Sequence, residues 1–180
     1  MTTRLLTHIT LIMLCCISFA TFAKEQQSEA NLLKAVFIYN FVKFTRWPEE
    51  VWNGQDPSIR ICSIGHDELT DTLFELHGRT LKDRPVVVEQ RNNRSKLSSC
   101  HVLYLGKSLQ DQANEISQSL HARPVLTISE ITDFSTSGGM IELYRLEGRI
   151  KFKINLKITR DAGLDLSSRL LKLAIIVDRH

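Results

Sequence analysis

The chain is poor in cysteine, with four in 180 residues. Beyond its first two dozen residues it has no apolar run near the roughly 20 residues that a membrane-spanning helix needs. It contains no Cys-x-x-Cys pair, which argues against a thioredoxin-like redox site. No Gly-x-Ser-x-Gly turn is present to anchor a hydrolase triad, and no Asp-rich calcium loop occurs. Of the histidines, His66, His77, His101, His121 and His180 follow the first segment, and no two share metal-ligand spacing on one helix. Gly106-Lys107-Ser108 looks like the end of a phosphate loop, but the pattern requires glycine where His101 stands. A strand-ending glycine and a helix-capping serine account for it. Lys and Arg number 23 against 20 Asp and Glu, intermixed along the chain, so the basic face that nucleic acid requires is lacking. The acids Asp67, Glu68, Glu130 and Asp133 are scattered and read as caps and loop residues. There is no internal repeat and no low-complexity stretch. The reading is therefore a protein without catalytic residues, metal or cofactor.

What is present begins at the front. Arg4 is the only charged residue before Lys24. An apolar run from Ile9 to Phe19 follows, closed by Ala20, Thr21 and Ala23. A basic start, a short apolar segment and a small-residue exit predict a signal peptide over residues 1–23, cleaved after Ala23. Cys15 and Cys16 lie inside the apolar run, with no lipobox. Removing 23 of 180 residues leaves 157, enough for one domain with a substantial core. The whole chain carries +3, and losing Arg4 leaves +2. Only Cys62 and Cys100 remain, an even pair in an oxidising compartment. A disulfide between them is expected, against a redox-active dithiol or a zinc site, both of which want other spacing.

Residues 24–30 are polar and read as a flexible lead-in to a domain over 31–180. Leu33, Val36, Phe37, Phe41 and Phe44 recur at helical spacing, predicting a helix from Glu29 to Phe44 that packs on more than one side. Trp47-Pro48 ends it. Strands are expected at Ile59–Ile64, Pro85–Glu89, His101–Leu105 and Pro124–Ser129. Helices are expected between them, from Asp67 to about His77 and from Ser108 to about His121. Such alternation implies a parallel sheet of order 2-1-3-4, which places Cys62 and Cys100 at the starts of neighbouring strands, Cys100 just before its own. Met140–Arg145 and Arg149–Asn155 form a hairpin through Leu146-Glu147-Gly148. Two helical segments follow, split at Gly163, and Ser167 caps the second. The fold class is α/β, a three-layer sandwich with a mostly parallel central sheet and a C-terminal antiparallel hairpin.

In open parallel sheets, ligands bind beyond the carboxyl ends of the strands. Those ends are Gly65-His66, Gly106-Lys107 and Ser129-Glu130, a possible small polar ligand cleft. The Arg46-Trp47 corner is a possible partner interface, because an aromatic and an arginine at a helix end are common anchors. A buried Trp47 is the competing reading.

The stretch from Leu33 to Pro48 resembles the opening helix of the YfiR-like (DUF4154) family of periplasmic regulators. So do Arg60-Ile61-Cys62, Cys100 to Gly106, Pro124 to Ser129, Gly139 to Leu143, Phe152 to Leu156 and Gly163 to Leu171. The resemblance covers nearly all of the mature chain in order. It implies a periplasmic protein that represses a membrane diguanylate cyclase, or another signalling enzyme such as a sensor kinase, through its periplasmic region. It also implies release by an outer-membrane lipoprotein, and a homodimer. Cys62 and Cys100 match one of the two disulfides of the best-known member. The second has no counterpart, since residues 133–139 hold no cysteine. A periplasmic small-ligand binder using the strand-end cleft is the alternative.

Overall fold

Residues 26–54 and 56–177 are described by the computed structural model. The expected signal peptide at 1–23 lies outside the described residues. Helix α1 runs over 26–44, so the polar residues 26–28 already belong to it. Ala35, Ile38, Phe41 and Val42 recur at three and four residues and are fully buried. The helix stops where the Thr45 hydroxyl donates to the Phe41 carbonyl at 2.6 Å. The chain leaves in extended form over Thr45–Arg46, and Pro48 disfavours a helical Trp47 beyond it. Among the described residues no helix is long and apolar enough to cross a membrane.

The central sheet contains β2 (Ile59–Ile64), β3 (Thr80–Leu81), β4 (Arg84–Arg91), β5 (Val102–Leu105), β6 (Leu126–Ser129), β7 (Ile141–Leu146), β8 (Arg149–Asn155) and β10 (Ile175–Val177). Their order is β10-β8-β7-β6-β5-β2-β4-β3. The run β4-β2-β5-β6-β7 is parallel, and its first four members stand in the expected 2-1-3-4 order. β7 and β8 form the expected antiparallel hairpin, turning through Glu147 and Gly148, both at positive φ. In β8, Ile150, Phe152 and Ile154 are buried while Lys151 is exposed, the alternation of a half-buried strand.

Two cores, one on each sheet face, make the three layers. On one face α1, α2 (Glu68–Thr72) and α5 (Ser168–Leu171) cover Ile61, Tyr104, Ile128 and Phe152. On the other, α3 (Ala113–Ser119) covers Cys62, Leu103 and Leu105. Cys62 and Cys100 are joined in this second core, with Cα atoms 5.9 Å apart.

Two local expectations change, and two short strand pairings appear that the sequence pattern does not announce. Ser108 does not cap a helix. Lys107–Gln112 is a 3-10 turn opened by Gly106, and the Ser108 hydroxyl accepts from the His66 N–H at 2.8 Å. The helix after it is consequently short. Thr80–Leu81 pairs back on β4 through a turn at Lys82 and Asp83. β9 (Asp165–Leu166) pairs antiparallel with β1 (Thr45–Arg46) between α4 (Leu156–Asp161) and α5. The last helical segment ends early, and the chain re-enters the sheet as β10, parallel to β8.

Candidate functional site

The carboxyl ends of β2, β5 and β6 converge on Asp67, the residue that caps α2. Its Oδ1 accepts from the Thr70 N–H at 3.0 Å. Its Oδ2 accepts from the Tyr104 hydroxyl at 2.8 Å and from the Lys107 N–H at 3.0 Å. Burial, reinforced by the charges of Asp67 and Glu130, pushes Tyr104 far above the ordinary phenol value, so it remains a donor. One carboxylate thereby ties the start of α2 to the end of β5 and the loop that follows it.

Beside it lies a half-open cavity of about 470 Å³, lined by Gln27, Asn31, Asp67, Glu68, Lys107 and Glu130 among others. Of the six residues expected at this rim, the structure brings Lys107 and Glu130 to it as side chains, with Lys107 Nζ 3.8 Å from Glu130 Oε2. Gly65 and Gly106 act through the backbone instead, and Ser129 turns its hydroxyl onto neighbouring backbone groups. A Cβ on Gly106 would stand 2.8 Å from the His66 nitrogen, so the two loops touch main chain to main chain. The Ser129 hydroxyl donates to the Leu105 carbonyl and accepts from the Ile131 N–H. His66 itself is exposed and does not line the cavity.

The residues that sequence reasoning missed come from α1. Lys34 reaches into the rim and pairs with Glu130 at 2.7 Å, with side-chain exposures of 8% and 9%. Lys34 Nζ also donates to Asn31 Oδ1, and Asn31 donates to Glu68. A signal existed: Lys34 shares a helix face with Ala35, Ile38 and Phe41, and a lysine in a buried stripe demands an acid.

The opposite end of the strands carries an aromatic stack. Trp52 lies on His101 with centroids 4.7 Å apart and planes within 10°. The Arg84 guanidinium sits 4.1 Å from the centre of the Trp52 ring. His101 Nδ1 accepts from the Arg60 N–H at 2.9 Å. Burial first, then the Arg60 charge, pushes the imidazole down to about 4, so it is neutral and keeps that acceptor. At the Arg46-Trp47 corner, Trp47 is 8% exposed and meets Trp52 edge-on. Arg46 points outward and pairs with Asp165 at 2.8 Å across β1 and β9. Of these two, only Arg46 offers its side chain to a partner.

A family model described as YfiR/HmsC-like (DUF4154) matches residues 31–175, from within α1 to the first residue of β10.

Proposed function

Since the chain belongs to the YfiR/HmsC-like family, we propose that it is a periplasmic regulator that represses a membrane-bound diguanylate cyclase through the cyclase's periplasmic region. The observation that carries this reading is the extent of the match, which takes in the whole parallel run β4-β2-β5-β6-β7. The buried Cys62–Cys100 bond supports an oxidising address. At that address the protein acts on the cyclase without touching the cytosolic nucleotide. A sensor kinase is the variant target, and an outer-membrane lipoprotein that sequesters the regulator would relieve repression. Deleting the gene in its own host should raise cyclic-di-GMP. The full chain should restore the low level, and a form lacking residues 1–23 should not. An unchanged nucleotide level on deletion removes the cyclase reading.

A second reading has one observation in its favour. The strand-end cavity presents the exposed Lys107 beside Glu130, a setting for a small polar ligand. Ligand-induced thermal shifts that vanish in Lys107→Ala would favour it.

A further inference from the structure

Most large apolar side chains of this protein are inside, and several of the exceptions gather in one place. On α1, Leu33 and Val36 are about half exposed. They continue into Phe37, Asn40 and Phe44 at spacings of three and four, a single stripe. Leu173 is 72% exposed just after α5, and Ile176 on the edge strand β10 is also exposed. Ile176 stands in register with Ile154, so it shares the sheet face that Phe152 and α1 occupy. Between these elements runs a groove of about 300 Å³, whose walls include Phe37, Phe44, Phe152, Leu170 and Leu173. An apolar groove with exposed apolar side chains on the elements that flank it marks an interaction site.

Among the described residues, the charges flanking the groove that lack an ion-pair partner are basic. Arg169 is the only charged residue in its lining, and among the described residues it has no ion-pair partner. Lys43 lies over the Phe44 ring, 5.8 Å from its centre, and Lys172 adjoins Leu173. Neither has a carboxylate partner among the described residues. A second copy docked here by a two-fold axis would bring the same three cations to the same rim, which like-charge repulsion opposes. A bilayer surface reaches protruding side chains such as Leu173 but not recessed walls such as Phe152 and Leu170, both nearly closed to water.

The geometry points to a protein partner: an apolar segment that seats large side chains between α1 and α5 and carries a carboxylate beside them for Arg169. The inference rests on the regulatory reading above and gives its docking face. Any homodimer then uses another surface.

The test places a photo-crosslinking amino acid at Leu173 of the full chain in its own cells, with the same group at Phe74, exposed elsewhere, as control. Adducts are mapped by mass spectrometry. The expected adduct forms from position 173 and not from 74, joins an apolar segment bearing Asp or Glu, and falls by about tenfold in Arg169→Glu. Reversing the partner's acid to Lys should restore it. An adduct to a second copy, an adduct to lipid, no adduct, or an adduct indifferent to Arg169→Glu overturns the proposal. Cyclic-di-GMP in the deletion strain is measured in parallel. An unchanged level with the expected adduct defeats the cyclase reading alone, and a raised level without the adduct defeats the docking face alone.

Discussion

Lys34 Nζ lies 2.7 Å from Glu130 Oε1, and the two side chains are 8% and 9% exposed. The contact spans 96 positions of sequence and fastens α1 over the carboxyl ends of the strands. Removing one partner of such a pair strands the other charge in a site nearly closed to water.

Lys34→Met should therefore lower unfolding free energy by about 3 kcal/mol, near the lower end for a broken buried pair because Lys107 remains 3.8 Å from Glu130. Adding Glu130→Gln should recover much of the loss. Urea unfolding of the two single variants and the double variant measures both effects, and additive losses would contradict the coupling.

The neutral His101 sets a pH dependence. Its value is about 4 in the folded chain against the ordinary 6.5, so the unfolded chain binds the extra proton first. Stability is complete above about pH 6.5 and declines as pH falls toward 4, by at most about 3 kcal/mol. His101→Phe keeps an aromatic ring available to Trp52, leaves the Arg60 N–H unpaired and costs about 1–2 kcal/mol at neutral pH. It should also flatten the slope between pH 6.5 and 4. Unfolding midpoints across that range, with the imidazole titration followed by NMR, provide the check.

Cys62 and Cys100 close a loop with a sequence separation of 38. In the chain-entropy picture this contributes about 4 kcal/mol. The Cys62→Ala, Cys100→Ala double variant should lose that much in urea. Both sulfurs belong to buried residues, so thiol labelling after mild reductant should follow local opening rather than reductant concentration.

Gly106→Ala should destabilise by about 1–3 kcal/mol, as overpacking does. The new Cβ would meet backbone, the His66 nitrogen at 2.8 Å and the Gly65 carbonyl carbon at 3.1 Å, and no flexible side chain can yield there. Gly54→Ala, with open space around it, is the matched control. Thermal midpoints of the two variants should separate by several degrees.

Much of the architecture was legible because it is written in short-range patterns. Helical spacing from Leu33 to Phe44, apolar runs ended by Gly65 and Gly106, and the capping Asp67 each act within a turn or two of chain. Alternation of strand and helix then restricts the sheet order, which is how the Cys62–Cys100 pairing could be anticipated. The candidate cleft was only partly legible. Strand ends mark its place, and Lys107 and Glu130 are there, but the side chains that close it come from α1.

The amino-acid sequence by itself determined the parallel sheet, its two covered faces and the position of the disulfide, since periodicity and punctuation carry that information locally. The tertiary structure alone decided that β9 pairs with β1, that the last segment becomes β10, and that Lys34 meets Glu130. Elements of two or three residues show no periodicity, and their pairing is set by backbone groups seeking partners. A buried charge pair belongs to two faces that meet only when the sheet is built. The same packing leaves Leu173 and Arg169 at the surface, where the sequence pattern alone reads as one more helix.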